Sequence, residues 1–156
     1  MIQNVIVKSS EKQGIGVFSL HGFKEGDAIL DMHYDDVIPP AEKDKLSHYE
    51  KNHIYYIGNG NYIRMQAPEK YLNHSCDPNA YVKDGKLIAM KDIAKNEEIT
   101  IDYSLNRLEP WEMECNCGSE KCRGVVKDFK RLPEEVKEAY RPYLDEWFRQ
   151  ELERQT

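Results

Sequence analysis

Asn73-His74-Ser75-Cys76-Asp77-Pro78-Asn79 is the stretch that decides how this chain folds, because its cysteine has counterparts downstream. Cys115, Cys117 and Cys122 follow in the spacing C-x-C-x4-C. The sequence holds four cysteines in all, so one tetrahedral thiolate site accounts for every one of them. Closely spaced thiolates are what Zn²⁺ selects, and a closed set of four cysteines is structural rather than catalytic. Such a site clamps the C-terminal segment onto the middle of the chain, beside Asn73 and His74. Pairing Cys76 with His74 as a nucleophile is the weaker reading, since it leaves three cysteines without a role.

Around that stretch the bulk properties set limits. A chain of 156 residues with 40% hydrophobic and 32% charged residues suits one soluble domain able to bury a real core. The sequence offers no signal-like apolar run at its start and no segment able to span a bilayer. The expectation is therefore an intracellular protein with reduced thiols, cytoplasmic if prokaryotic or viral, with a nuclear location also compatible. A net charge of −6 argues against direct nucleic-acid binding, which needs a basic face, and suits a cationic partner.

The first hundred residues read as short strands. Val5-Ile6-Val7, Gly14 through Phe18 and Ala28-Ile29-Leu30 are strand candidates separated by turns. Gly58-Asn59-Gly60-Asn61 joins two tyrosine-bearing strands, and Lys83-Asp84-Gly85-Lys86 joins another pair, both as hairpins. A polar helical insert is expected from Pro39 to about Glu50. Glu98 through Tyr103 alternates as a strand should. Beyond the cysteines, Val136, Tyr140, Leu144 and Phe148 recur at helical spacing, with Pro142 breaking the run into two helices. Tyr143 and Trp147 widen this apolar face, which docks on the body; a homodimer through the same helices is the competing use of it.

Taken in order, Gly14-Ile15-Gly16-Val17-Phe18, the strand at Tyr55-Tyr56, Tyr71 through Ala80, and Glu98 through Tyr103 resemble the SET-domain protein lysine methyltransferases. Cys115 through Gly124 is similar to that family's post-SET zinc segment. A lone G-x-G is weak, whereas N-H-S-C-x-P-N with the D-Y pair and C-x-C-x4-C in sequence is specific. The fold the resemblance implies is mainly β with helical additions: a β-clip of several small sheets, with the Asn73 and Tyr103 segments in a knot-like crossing, and C-terminal helices. It divides the chain into a SET domain (1–108), a post-SET zinc segment (109–126) and a C-terminal helical cap (127–156).

The resemblance also implies S-adenosylmethionine-dependent methylation of a lysine in a protein substrate, within a basic lysine-containing segment. Gly14, Ile15, Gly16, Asn73, His74, Tyr56 and Val125 would contact the cofactor, and Cys76, Cys115, Cys117 and Cys122 one structural Zn²⁺. Tyr103 would sit by the transferring methyl, in a channel shared with Tyr55, Tyr56 and Ile101. Two glycines around Ile15 allow close backbone approach to a ligand. A dry channel would lower the lysine pKa by desolvation, and alignment of nitrogen, methyl and sulfur would supply most of the rate. Many family members carry Phe or Tyr where this chain has Ile101, which leaves room for di- or trimethylation. Lys70 stands where an arginine often opens the motif. The acidic residues Asp31, Asp35 and Asp36 read as a solvated loop in preference to a peptide-binding face. The alternative functional reading is a catalytically silent SET-type interaction module.

Overall fold

A computed structural model describes residues 4–12 and 14–155. The chain begins with β1 (Val5–Ser9), β2 (Ile15–Ser19), β3 (Ala28–Asp31) and β4 (Val37–Ile38). The one-turn helices α1 (Pro40–Lys43) and α2 (His48–Lys51) follow, then β5 (Ile54–Gly58), β6 (Asn61–Arg64) and β7 (Asn73–His74). Next come β8 (Ala80–Lys83), β9 (Lys86–Ala89), β10 (Glu98–Ile101), β11 (Glu112–Glu114) and β12 (Val125–Lys127). Helices α3 (Glu134–Tyr140) and α4 (Glu146–Arg154) close the chain.

Among the described residues the strands form four small sheets, in the orders β1-β2-β10-β7, β3-β9-β8, β4-β6-β5 and β11-β12. Both expected hairpins turn through two left-handed residues, Asn59 and Gly60 at φ 54° and 78°, and Asp84 and Gly85 at φ 52° and 75°. Asn, Asp and Gly tolerate that conformation, and its twist matches the flanking strands. In the first sheet β10 is central, antiparallel to β2 and parallel to β7, with Thr100 opposite Asn73 and Ile101 opposite His74. The motif strand and the strand leading to Tyr103 are therefore hydrogen-bonded neighbours.

The rest of the motif holds this junction. Asn79 accepts from the Thr100 N–H through its side-chain oxygen (2.9 Å) and donates to the Glu98 carbonyl (2.8 Å). Its amide thus satisfies two backbone groups of β10 as a neighbouring strand would. The Ser75 hydroxyl accepts from the Asp77 N–H at 3.0 Å and turns the chain.

Two expectations shift. The insert after Pro39 is two short helices, because Ser47 and Glu50 form a capping box that starts a new turn. Strand β10 ends at Ile101, two residues earlier than the alternation suggests. There the Asp102 carboxylate accepts from the Ser104 N–H (3.0 Å) and starts a 3-10 turn over Tyr103–Asn106.

The core has three parts. Val17, Ile29, Ile63, Leu87 and Ile99 are completely buried at the centre of the sheets. Each such side chain is worth about 1.5–3 kcal/mol relative to exposure. The C-terminal stripe docks as expected: Tyr140, Leu144 and Phe148 are buried with Leu108, Phe129 and Leu132. Pro142 lies in a 3-10 turn (Arg141–Tyr143) that separates α3 from α4. The third part gathers the cysteines around the fully buried Val126.

Candidate functional site

In the turn between β1 and β2, Gly14 adopts φ 49°, with nothing within 4 Å of where a Cβ would stand. A Cβ on Gly16 would lie 2.4 Å from Glu98 Oε2. Only a glycine lets that carboxylate pack directly over the backbone. Glu98 is held there by the Ser10 hydroxyl (2.7 Å) and the Asn73 amide (2.8 Å). The same Asn73 nitrogen donates to the Ile15 carbonyl at 3.0 Å. Asn73 thus ties the motif to the glycine hairpin. Ile15, beside these polar groups, is 48% exposed, and Val125 of β12 is 39% exposed.

His74 is buried and its ring serves the cysteines. Its Nδ1 accepts from the Tyr103 N–H at 3.0 Å, which puts the neutral imidazole proton on Nε2. That nitrogen lies 3.3 Å from Cys76 Sγ and donates to it. Burial lowers the His74 pKa to about 4, outweighing the opposing pull of Asp102, so the ring is neutral. The ring therefore braces the Cys76 sulfur, and any cofactor contact from His74 falls to its backbone.

The four sulfurs of Cys76, Cys115, Cys117 and Cys122 all lie within 4.8 Å of one another. A tetrahedral Zn²⁺ with bonds of about 2.3 Å places its sulfurs about 3.8 Å apart, and Cys76 and Cys115 stand 3.9 Å apart. Burial acts to raise the Cys117 pKa, but hydrogen bonds from the Cys76 and Ser119 backbone and from neighbouring thiols bring it down to about 6. Burial pushes the Cys76 and Cys115 thiols up, so the full set becomes four thiolates only with a cation held between them. The Arg123 N–H adds a bond to Cys76 Sγ at 3.4 Å. Geometry and chemistry both suit a structural metal ion here.

Tyr103 donates its phenolic proton to the Leu72 carbonyl at 2.5 Å, and its ring meets His74 edge-on with centroids 5.3 Å apart. Burial pushes its pKa up to about 12, so the phenol keeps its proton at neutral pH. Tyr103 lines a cavity of about 60 Å³ together with Tyr55, Leu72, Tyr81, Val82 and Ile101. Burial also raises Tyr55 well above the ordinary tyrosine range. This is a narrow, largely apolar space walled by tyrosines.

Tyr56 is not brought to that cavity. Strand alternation turns it away from Tyr55, and its hydroxyl donates to Glu151 of α4 at 2.8 Å. Its ring packs edge-on against Trp147 and lines an adjoining cleft of about 520 Å³ with Tyr62, Arg107 and Trp111, which shares Asn52, Ile54, Asn106 and Arg107 with the first cavity. The acidic residues near position 35 are engaged locally: Lys86 pairs with Asp31, Arg64 with Asp36, and Gln66 with Asp35.

Sequence reasoning missed the network under Tyr103. Asp102 is buried and accepts from both Arg123 terminal nitrogens (2.8 and 2.9 Å) and from the Tyr140 hydroxyl (2.7 Å). Burial alone would raise the Asp102 pKa, yet the guanidinium holds it below the usual value. One carboxylate therefore joins the residue before Tyr103, the cysteine segment and helix α3. Only the adjacency of Arg123 to Cys122 hinted at it, since long-range contacts leave no periodicity.

Comparison with known proteins follows the same outline. The sequence profile of the family described as "SET domain" matches residues 14–104. The histone-lysine N-methyltransferase ATX2 of Arabidopsis thaliana is 31% identical over 155 residues, covering 86% of this chain and 14% of that protein. The histone-lysine N-methyltransferase TRX1 of rice is 32% identical over 141 residues (76% and 13%). The H3 lysine-36 specific enzyme of Candida glabrata is 29% identical over 139 residues (79% and 19%). The chain thus spans less than a fifth of each of these relatives. Among solved structures, a candidate histone methyltransferase of Plasmodium falciparum superposes with a TM-score of 0.56 at 25% identity, covering 66% of this chain and 95% of that one. Its likeness agrees with the small-sheet architecture described above.

Proposed function

The chain belongs to the SET-domain family, and from that membership we propose that it is a protein-lysine N-methyltransferase. Methyl would pass from S-adenosylmethionine to the ε-amine of a lysine in another protein. The observation that carries this reading is Tyr103, a protonated phenol in the wall of a narrow tyrosine-lined cavity, beside the Asn73–His74 strand. S-adenosylmethionine, when bound, supplies an electrophilic methyl group on a sulfonium. Gly14, Ile15, Gly16, Asn73, the backbone of His74, and Val125 would hold it. The open backbone at Gly14, the Asn73 and Glu98 polar groups and the exposed Ile15 and Val125 suit a ligand with a charged amino acid end and an apolar ring.

Tyr103 orients and does not act as base, because a phenol with a pKa near 12 supplies little phenolate at neutral pH. Its donation to Leu72 fixes the ring against the cavity. The apolar walls favour the neutral amine over the ammonium. Holding the amine in one line of approach contributes the larger part of the acceleration. Ile101 offers the wall no hydroxyl, which leaves space for a second and third methyl group. Cys76, Cys115, Cys117 and Cys122 would hold one Zn²⁺ that keeps residues 109–126 on the SET domain of residues 1–108, with 127–156 as the cap.

The substrate class is a basic, lysine-bearing protein segment. The relatives' names point to histones, and an intracellular site of action goes with that reading. The test is transfer of radiolabelled methyl from S-adenosylmethionine into core histones by the zinc-loaded protein. Label that appears with the wild type and falls by roughly a hundredfold in Tyr103→Phe supports the proposal. Equal labelling by a folded Tyr103→Phe variant contradicts the role given to Tyr103.

A further inference from the structure

Arg107 stands where the narrow cavity and the adjoining cleft meet, since it lines both. It follows the 3-10 turn that carries Tyr103 and is half-buried. Its guanidinium lies 4.5 Å from the ring centre of Trp111. Trp111 belongs to the cleft and not to the narrow cavity, so this contact puts the charged end on the cleft side of the junction. Beyond that stacking, no ion pair or side-chain hydrogen bond reaches the guanidinium among the described residues. Burial pulls its pKa below the usual arginine value, although Tyr62, Tyr103 and Tyr55 pull the other way.

A guanidinium carries five N–H donors and stays charged at neutral pH. Held partly out of water without a counter-ion, it costs free energy that an anion of matching shape recovers. The described wall of the cleft does not supply that anion. Tyr55 and Tyr103 keep their protons at neutral pH, and Glu109 is taken by Lys43 at 2.7 Å. In all, three cations (Lys43, Lys51 and Arg107) line the cleft with two anions (Asp44 and Glu109), which leaves one positive charge in excess. A carboxylate fits that excess. Its two oxygens match the guanidinium fork, whereas a phosphate dianion would also meet Asp44 and Glu109.

We propose that the cleft receives the segment bearing the target lysine, and that Arg107 selects an acidic side chain placed a residue or two from that lysine. This rests on the methyltransferase reading and deepens it, because it names what the substrate carries beside the lysine. Successive residues of an extended chain stand about 3.3–3.6 Å apart. A lysine in the narrow cavity and a carboxylate at its junction with the cleft therefore belong to near neighbours in sequence. One acid beside the lysine leaves an otherwise basic segment basic. The pairing lies on the cleft side, so the walls of the narrow cavity still favour the neutral amine.

The experiment uses the full chain loaded with zinc, labelled S-adenosylmethionine, and short blocked peptides with a central lysine among alanine and arginine. Glutamate occupies each position flanking the lysine in turn, and glutamine takes its place in the control peptides. The expected result is a kcat/KM roughly tenfold higher for glutamate than for glutamine at one position near the lysine, with the difference in KM. In Arg107→Gln that preference disappears, and Arg107→Lys, which keeps the charge without the fork, retains part of it. A merely structural role for Arg107 would slow both peptides alike and leave their ratio standing. Absence of a preference in the wild type overturns the assignment, as does a preference that survives Arg107→Gln. If Arg107→Gln does not fold, the wild type and Arg107→Lys decide. A folded protein that binds no S-adenosylmethionine overturns the methyltransferase reading and this inference together. One that labels core histones without favouring any glutamate peptide overturns this inference alone.

Discussion

Replacing Tyr140 by Phe removes one hydroxyl from helix α3, yet the structure predicts a measurable loss. The Tyr140 hydroxyl is buried and donates at 2.7 Å to Asp102 Oδ2, on a carboxylate with no exposed surface. Arg123 keeps Asp102 ionised, so the lost bond is one to a charged group. Such bonds contribute about 1.5–3 kcal/mol net. Because Arg123 and the Ser104 N–H remain, the cost stays well below the 3–5 kcal/mol of breaking a buried ion pair. For a chain of this length the loss corresponds to a fall in Tm of roughly 3–12 °C. Urea unfolding of the zinc-loaded protein should show a lower midpoint with the slope unchanged, since the surface exposed on unfolding is the same. Repeating the change in an Asp102→Asn background isolates the charge: the cost of Tyr140→Phe should drop by about 1 kcal/mol. A cost under about 0.5 kcal/mol in the wild-type background would refute the claim that this hydroxyl fastens the C-terminal helices to the segment bearing Tyr103.

Cys115→Ser is expected to bring zinc stoichiometry, read by elemental analysis, well below one ion per chain, together with a lower unfolding temperature; full stoichiometry would refute the four-thiolate set. Gly16→Ala drives a Cβ to 2.4 Å from Glu98 Oε2, so S-adenosylmethionine affinity by calorimetry should fall roughly tenfold while stability changes by about 1–3 kcal/mol. Ile101→Tyr adds bulk and a hydroxyl to a cavity of about 60 Å³, and mass spectrometry of exhaustively methylated product should move from di- and trimethyl-lysine toward monomethyl-lysine. A wild-type product that stops at monomethyl-lysine would sink the steric argument.

Local chemistry was what the sequence displayed most clearly. Asn59-Gly60 and Asp84-Gly85 sit where strands must reverse, and a turn's requirement for positive φ is written in two adjacent residues. The cysteine spacing led to one compact cluster because three of the four sulfurs come from a single short loop. The stripe from Val136 to Phe148 is a local periodicity, and it packs as one. Position across the fold was less visible. Tyr55 and Tyr56 are indistinguishable as residue types, and only the facing of β5 separates the cavity wall from the contact with Glu151. His74 carries the motif's name, but its ring turns inward to Cys76 because the Tyr103 N–H takes its other nitrogen. The ties of Asp102 to Arg123 and Tyr140 join residues 21 and 38 positions apart, which no local pattern announces. Glu98, placed over Gly16, was read only as part of a strand.

Calorimetric titration of the zinc-loaded protein with S-adenosylmethionine, run beside Asn73→Ala, tests the central claim most directly. Asn73 holds both the Ile15 carbonyl and Glu98, so the account predicts one bound molecule per chain for the wild type and a large loss for the variant. A folded, zinc-replete wild type that binds no S-adenosylmethionine would contradict it and leave the catalytically silent interaction module as the better description.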